Sequence, residues 1–188
     1  MPTRRKFLAA LFAHSGPCFV ICGFDGRVLK QGGFCGQNPP GSTIKPLIAT
    51  LLNPALRFPC LRKLRLSGLR LDCSHAPIPG ALDLETALAA SCNSWFAQAS
   101  RRLEPTAVMR LIQAEGGQAG AARTRDELAL QVLGLHAVFF TPAALARAYV
   151  RLRHSASPAI RRGLEGAVTY GTASQSPGTP ILLAGKTG

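Results

Sequence analysis

Residues 40–46 read PGSTIKP and follow a loop rich in proline and glycine. Ser42 is predicted to open a helix that continues through apolar residues to Leu52, with a proline in its first turn. Residues three apart share one face of a helix, so a serine nucleophile at Ser42 can meet an amine base at Lys45. The N–H groups left free at a helix start suit an oxyanion. A Ser-x-x-Lys spacing is expected about once by chance in a chain of this length, so its meaning depends on other segments.

A second polar segment, Ser91-Cys92-Asn93, follows an alanine-rich helix predicted over Leu84–Ala90 after Asp83. A hydroxyl and an amide two residues apart in a tight loop can face one cleft, where Ser91 relays a proton and Asn93 holds a substrate carbonyl. The simpler interpretation is a helix boundary, where serine and asparagine are common. For this segment alone, the boundary is the favoured interpretation.

A third segment, Lys186-Thr187-Gly188, follows the apolar run Ile181–Ala184. That run is predicted to start a buried strand. A lysine and a threonine on a strand edge can bind a carboxylate, and Gly188 lets a substrate backbone come close. As an isolated tripeptide, this segment would carry no functional information.

Taken in this order, the three segments resemble the SxxK, SxN and KTG motifs of the penicillin-binding transpeptidases and serine β-lactamases. The surrounding sequence is similar too: residues 40–46 look like the PGSTxKP form, residues 87–96 like an AL..SCN..F segment, and residues 133–149 like an IGQG…TPLQLA.AY stretch. Cys73-Ser74-His75 lies where that family often has a cysteine and a histidine before the SxN helix. The resemblance covers about residues 16–188.

The resemblance implies an α+β fold of the β-lactamase/transpeptidase type, with an antiparallel sheet flanked by helices and an all-helical subregion. The resemblance assigns residues 16–188 to the transpeptidase-like domain, and the pair of arginines near the start makes residues 1–15 a candidate twin-arginine-type signal segment. In this family the KTG strand continues into further strands and a C-terminal helix. The sequence stops at Gly188, so these last elements are expected to be missing.

The resemblance also implies a reaction, that of a serine D,D-transpeptidase. Ser42 would attack the carbonyl of the D-Ala-D-Ala end of a peptidoglycan stem peptide and become acylated, while Lys45 takes its proton. Ser91 and Lys186 would relay a proton to the leaving D-Ala. An amine from a second stem peptide would resolve the ester and form a cross-link, and β-lactams would acylate Ser42 in place of the substrate.

Substrate binding is implied by the same resemblance. Asn93 would anchor the amide of the acyl chain, Lys186 and Thr187 would bind the terminal carboxylate, and Gly188 would allow close approach. A charged Lys186 also gives a physical reason for a neutral Lys45, since like charges disfavour each other. No cofactor and no metal are expected.

Two alternatives share this fold. A β-lactamase-like hydrolase needs a group that activates water, and no glutamate in the sequence has the neighbours expected of one. A non-catalytic β-lactam-binding sensor, or a truncated remnant, would keep the motifs without turnover.

The composition predicts one folded domain with many loops. Of the 188 residues, 47% are hydrophobic and 16% are charged, which excludes a disordered tail, a collagen-like chain and a coiled coil. A net charge of +13 predicts attraction to anionic surfaces, such as a membrane or cell-wall polymers. The basic residues are scattered, only 6% of the chain is aromatic, and no nucleic-acid-binding signature is present, so nucleic acid is not expected as a partner.

The N-terminal residues 3–8 read TRRKFL and resemble a twin-arginine export signal, with small residues at 13–15 for cleavage. An ordinary basic N-terminus is an equally supported interpretation. Export would place the protein in the cell envelope or periplasm. No run of about 20 apolar residues predicts a membrane-spanning helix.

Cysteines and turn residues predict further local structure. Cys60 and Cys73 flank a predicted hairpin over Leu61–Asp72, so a disulfide between them is one hypothesis and buried free thiols are another. A zinc site has less support because a CxxC pair is not repeated. Another hairpin is predicted over Phe19–Gly23 and Arg27–Gln31, from the Asp-Gly pair between them. Further helices are predicted over residues 94–102, 105–114, 126–135, 141–153 and 158–166.

Overall fold

The structure is a computed structural model that describes residues 18–174 and 185–187. It is a mixed α and β fold in which short antiparallel strand pairs accompany a set of packed helices, and the predicted fold class is confirmed. The signal segment predicted over residues 1–15, the strand predicted over 181–184 and Gly188 lie outside the described residues. No helix in the described part is both long enough and apolar enough to cross a membrane.

The described chain begins with an antiparallel hairpin of strands β1 (Phe19–Cys22) and β2 (Val28–Gly32). In its turn Gly26 has a φ of +79°, a left-handed conformation that glycine adopts at little cost. The Asp25 carboxylate accepts a hydrogen bond of 2.9 Å from the Arg27 N–H. The hairpin predicted from the Asp-Gly pair is therefore confirmed.

Three further antiparallel pairs have strands of only two residues each. Ser67 and Gly68 both have positive φ in one of their turns, as a two-residue hairpin turn requires, and this confirms the second predicted hairpin. The pairs are β3 (Phe58–Pro59) with β6 (Ala81–Leu82), β4 (Arg65–Leu66) with β5 (Leu69–Arg70), and β7 (Gln118–Ala119) with β8 (Val138–Phe139).

Four of the seven helices in the described residues begin at a capping side chain. Asp83 accepts a hydrogen bond of 2.8 Å from the Thr86 N–H, and Thr141 accepts one of 3.2 Å from the Ala144 N–H. Such caps satisfy N–H groups that a first helical turn leaves free. The helices are α1 (Lys45–Ile48), α2 (Leu84–Ala89), α3 (Asn93–Ala99), α4 (Pro105–Ala114), α5 (Arg125–Val132), α6 (Pro142–Ser155) and α7 (Pro158–Thr169).

The core forms around α1 and α3. Trp95 and Phe96 of α3 are fully buried, with their ring centroids 5.1 Å apart in an edge-on arrangement. The Trp95 ring N–H donates to the Leu82 carbonyl at 2.9 Å, which satisfies its one polar atom. Lys45 of α1 is also fully buried in this core. An ionisable amine therefore lies where water cannot solvate its charge.

Helices α2 and α7 pack very closely against each other at Gly163. A Cβ atom at Gly163 would lie 2.8 Å from the Leu88 Cβ and 3.0 Å from the Glu85 carbonyl, so a larger residue there would push the helices apart. An ion pair of 2.6 Å between Arg162 and Glu85 joins the same two helices. This packing brings together the loops that follow α2 and α7.

One disulfide, Cys18–Cys35, is present in the described residues and ties the start of β1 to the loop after β2. The hypothesis of a disulfide between Cys60 and Cys73 is wrong, because both are free thiols. They flank the β4–β5 hairpin as expected, but each sulfur faces a partner from outside that hairpin: His75 for Cys60, and the Cys92 thiol for Cys73.

Candidate active site

Ser42 lies in a tight 3₁₀ turn, Gly41–Ile44, that leads directly into α1. The helix predicted from Ser42 to Leu52 is thus divided, with one α-helical turn between two 3₁₀ segments. The hydroxyl of Tyr149, a half-buried residue of α6, donates to the Thr43 carbonyl at 2.7 Å. This contact connects the backbone beside Ser42 to a helix about 100 residues further along the chain.

A second contact holds the turn from its other side. The Gly41 N–H donates to the Gly134 carbonyl at 3.1 Å. Gly134 has a φ of +74°, and a Cβ atom there would lie 2.3 Å from the Gly41 carbonyl oxygen. Only glycine fits this approach, because any side chain would both strain the backbone and collide with the turn that presents Ser42.

Ser42 opens into a cleft that has a volume of about 690 Å³. Ser91, Asn93 and Thr187, all predicted site residues, line the same cleft. Ser42 comes from the turn before α1, Ser91 from the loop after α2, Asn93 from the start of α3 and Thr187 from the segment 185–187. The fold therefore brings together side chains from all three sequence motifs. The volume is within the range of small-molecule and peptide sites.

Lys45 reaches the site from beneath, through the core. Its Nζ donates to the Asn93 Oδ1 at 2.6 Å, to the Ser91 carbonyl at 2.8 Å and to the Ser91 Oγ at 3.3 Å. Burial, and next the charge of Lys186, lower the pKa of Lys45 from 10.5 to about 7. Among the described residues no hydrogen bond joins Lys45 to the Ser42 hydroxyl, and Lys45 instead bonds Ser91 and Asn93.

Ser91 holds an unusual backbone conformation at the end of α2. Its φ of +51° is rare for a residue with a side chain and is seen where surrounding contacts impose it. The Ser91 N–H bonds the Leu88 carbonyl at 3.1 Å, and the Cys92 N–H bonds the Ala87 carbonyl at 2.9 Å. The interpretation of this segment as a helix boundary is therefore correct as local structure, and the same boundary turns Ser91 toward the cleft.

Asn93 is fixed from both ends of its amide. Its Oδ1 accepts from Lys45, and its Nδ2 donates to the Leu71 carbonyl at 3.2 Å. The neighbouring side chain, Ser94, is buried and accepts a hydrogen bond of 3.0 Å from the Leu61 N–H. The start of α3 is thus tied to the chain around the β4–β5 hairpin.

Lys186 and Thr187 complete the described part of the site. Burial lowers the pKa of Lys186 to about 8, and the charge of Lys186 in turn lowers the pKa of Lys45. The Lys186 Nζ lies 2.5 Å from the Thr187 carbonyl oxygen and 3.5 Å from the Thr187 Oγ1. The Thr187 hydroxyl lies 2.8 Å from the hydroxyl of Thr172, a residue that the sequence did not single out.

Beside the cleft, four side chains form a cluster of metal-ligand type: Cys60, Cys73, His75 and Cys92. Their ligand atoms all lie within 4.8 Å of one another, with 3.7 Å between the Cys73 and Cys92 sulfurs and 3.5 Å between the Cys60 sulfur and the His75 Nε2. In a tetrahedral Zn²⁺ site with Zn–S bonds of about 2.3 Å, two sulfurs lie about 3.8 Å apart. These residues could therefore hold zinc.

The cluster offers a cation one readily ionised sulfur, that of Cys73, and one free ring nitrogen, that of His75. The His75 Nδ1 lies 2.7 Å from the Ala76 carbonyl, so the proton belongs on Nδ1 and Nε2 is free to ligate. The hydrogen bond from the Cys92 thiol lowers the pKa of Cys73 to about 5, while the pKa of Cys92 is raised by the same contact. The absence of a repeated CxxC pair does not exclude zinc here, because the four candidate ligands come from separate segments of the chain.

The comparisons with known proteins agree with this arrangement at the level of the fold. No family model matches the chain, and no curated protein matches it by sequence. Solved structures do match. The penicillin-binding protein PBP2 from Helicobacter pylori superposes with a TM-score of 0.71 at 12% identity, over 99% of this chain and 54% of that one. This chain has a penicillin-binding protein transpeptidase-like fold.

Two other structures of penicillin-binding and peptidoglycan proteins share this transpeptidase-like fold. A chain of a peptidoglycan synthase complex, described as coordinating polymerization and crosslinking, matches with a TM-score of 0.69 at 21% identity over 100% of this chain and 40% of that one. Penicillin-binding protein A from M. tuberculosis, solved as an imipenem acyl-enzyme, matches with a TM-score of 0.52 at 22% identity over 62% and 32%. The chain spans about half the length of these proteins or less.

Proposed function

We propose that this chain carries the acyl-transfer site of a serine D,D-transpeptidase, in which Ser42 forms an acyl-enzyme with peptidoglycan stem peptides and with β-lactams. One observation supports this proposal above all others. Lys45 is a buried lysine with a pKa near 7, and it shares hydrogen bonds with two residues of the cleft into which Ser42 opens. An amine that is half neutral at pH 7 is a competent base for a serine hydroxyl.

The proposed reaction has two halves. Neutral Lys45 takes the Ser42 proton, either directly after a small side-chain movement or through the Ser91 hydroxyl, as Ser42 Oγ attacks the carbonyl carbon of the penultimate D-Ala. Catalytic hydrogen bonds are often long before the substrate binds, so the present absence of a Ser42–Lys45 bond among the described residues is compatible with this role. The proton then passes through Ser91 or Lys186 to the leaving nitrogen, and D-Ala departs as the acyl ester remains on Ser42.

Substrate orientation follows from the other cleft residues. Protonated Lys186 and the Thr187 hydroxyl would bind the terminal carboxylate, and Asn93 would hold the acyl-chain amide, with Gly188 adjoining them in sequence. An amine from a second stem peptide would then attack the ester carbonyl, forming the cross-link and returning the proton to the Ser42 oxygen. Such an enzyme would act in the cell envelope. There, an anionic membrane surface or wall polymer would attract a chain with a net charge of +13.

The cleft favours a long-lived acyl-enzyme over rapid hydrolysis. Among the described residues that line it, none is a carboxylate that could activate a water molecule, and the two ring nitrogens of His75, which also lines it, contact the Cys60 sulfur and the Ala76 carbonyl. A β-lactamase-like chain would need such a group near the ester. We therefore expect acylation by penicillins to be much faster than release.

A fluorescent penicillin tests the proposal. The chain is incubated with the label, denatured and separated by electrophoresis, alongside Ser42→Ala and the matched control Ser155→Ala, an exposed serine at the end of α6. We expect the parent chain and Ser155→Ala to be labelled stably and Ser42→Ala to be unlabelled. Equal labelling of Ser42→Ala, or no labelling of a folded parent chain, would overturn the proposal. Label that is lost within seconds would indicate the hydrolase instead.

A further inference from the structure

A short turn after α7 connects two parts of the site. Its backbone is anchored to two helices. The Thr172 N–H donates to the Ala89 carbonyl at the end of α2 at 3.2 Å, and the Ala173 N–H donates to the Ala167 carbonyl of α7 at 2.8 Å. A Cβ atom at Gly171 would lie 2.2 Å from the Ala89 carbonyl oxygen, so the approach requires glycine. The turn is therefore held against the loop that carries Ser91.

From this anchored turn the Thr172 side chain reaches the segment 185–187. The hydroxyl oxygens of Thr172 and Thr187 lie 2.8 Å apart, and both residues line the cleft that Ser42 enters. Among the described residues, this contact is the side-chain hydrogen bond that joins Thr187 to the anchored turn. The other described partner of the Thr187 hydroxyl, the Lys186 amine at 3.5 Å, belongs to the same short segment.

Hydroxyl chemistry limits what this pair can do. A threonine hydroxyl has one proton to donate and two lone pairs to accept with. Without a ligand, Thr187 can donate to Thr172. When a carboxylate binds, Thr187 must turn its proton toward the carboxylate, and Thr172 can then donate into the Thr187 oxygen. A carboxylate would thus be bound through a two-link chain from Thr172 through Thr187, in which each hydrogen bond strengthens the next.

We propose that Thr172 is a positioning residue for carboxylate recognition: it orients the Thr187 hydroxyl and so makes the cleft select peptides and lactams with a free carboxylate. The inference rests on the proposed function for the identity of the ligand, a peptide that ends in a carboxylate. Thr172 itself need not touch the ligand. Its effect is specific to ligands that Thr187 can recognise, and a merely structural turn would show no such specificity.

The test measures binding at equilibrium in the full chain carrying Ser42→Ala, in which no ester can form at position 42. An N-acyl-D-Ala-D-Ala peptide and its C-terminal amide are titrated separately and followed by NMR chemical shifts. Thr172→Val removes the hydroxyl at nearly constant volume, Thr172→Ser retains it, and Thr172→Ala provides a second deletion should the valine variant not fold. Thermal melts establish that each variant is folded.

We expect Thr172→Val to raise the Kd of the acid about 3- to 10-fold, the loss of one hydrogen bond, and to leave the Kd of the amide unchanged within about twofold. Thr172→Ser should bind the acid as the parent does. In a chain that also carries Thr187→Val, removing the Thr172 hydroxyl should have no further effect, because it acts through Thr187. Three results would each overturn the inference. The first is an equal loss of affinity for the acid and the amide in Thr172→Val, and the second is a loss of affinity that adds to that of Thr187→Val. The third is a parent chain that binds the acid and the amide with equal affinity.

The two proposals fail in distinguishable ways. If binding selects the acid and depends on Thr172, but penicillin never acylates Ser42 in the parent chain, this inference is supported and the proposed transpeptidase function is overturned. Acylation of Ser42 together with acid binding that is indifferent to Thr172 would do the reverse.

Discussion

Acylation of Ser42 should follow a narrow bell-shaped dependence on pH, set by two lysines. Burial, and next the charge of Lys186, bring the pKa of Lys45 to about 7, and burial brings the pKa of Lys186 to about 8. The base must be neutral, so the rate rises with pH through the lower value. Carboxylate binding needs a charged Lys186, so the rate falls through the higher one. Since the two amines interact, the apparent pKa values belong to the pair.

The size of the effect follows from the lowered pKa of Lys45. With a pKa of 7, about 9% of Lys45 is neutral at pH 6 and about 90% at pH 8, a tenfold difference. With the ordinary value of 10.5, only about 3 molecules in 10,000 would have a neutral amine at pH 7. The assay is the second-order rate of labelling by a fluorescent penicillin from pH 5.5 to 9.5. A rate that stays constant across this range would refute the assignment of Lys45 as the base.

Replacing Lys186 separates the two limbs of this profile. Lys186→Met should abolish the alkaline limb, and it should move the acid limb to higher pH, because removing a neighbouring positive charge raises the pKa of Lys45. Lys30→Met, at an exposed lysine of β2, is the matched control and should leave both limbs in place. An acid limb that stays fixed or moves to lower pH in Lys186→Met would contradict the proposed effect of the Lys186 charge on the pKa of Lys45.

Three further predictions concern stability. The pKa of Lys45 is lowered on folding, so the unfolded chain binds more protons than the folded chain between pH 7 and 10.5. The free energy of unfolding therefore rises with pH in that window, by at most about 5 kcal/mol. Denaturant titrations at several pH values should show that Lys45→Met loses this rise. Gly134→Ala should lower the free energy of unfolding by about 3 kcal/mol or more, because the alanine Cβ would collide with Gly41. Gly68 also has a positive φ, +80°, but has open space around it, so Gly68→Ala should lower the free energy of unfolding by only about 1 kcal/mol. Metal analysis should find one Zn²⁺ per chain, held by the cluster of Cys60, Cys73, His75 and Cys92, and a strong chelator should lower the melting temperature. If the zinc-free chain melts at the same temperature with and without added Zn²⁺, the cluster is not a metal site.

Local features of the fold could be predicted from the sequence because neighbouring residues determine them. Gly26 and the Ser67-Gly68 pair each supply positive φ for a tight turn, and Asp83 and Thr141 supply oxygens for helix starts. These effects need no knowledge of the rest of the chain. The division of the Ser42–Leu52 helix was missed, since it depends on tertiary contacts of the turn around Ser42.

Features made by distant segments were predicted less well. The gathering of Ser42, Ser91 and Thr187 was reached through motif resemblance, because nothing in their separate surroundings requires them to meet. The disulfide hypothesis for Cys60 failed because spacing along a hairpin does not show which way a sulfur points. Thr172 gave no signal, since a threonine in a polar turn is common and its value arises only from a contact 15 residues away.

The covalent adduct itself is the most direct test of the central claim that Ser42 is the acylated nucleophile. The chain is reacted with benzylpenicillin, its intact mass is measured, and the modified residue is located by proteolysis and fragmentation. The account predicts one whole penicillin per chain, on the peptide that contains Ser42 and on the Ser42 oxygen. An adduct on Ser91 or elsewhere, or an unmodified mass from folded protein at saturating penicillin, would contradict it.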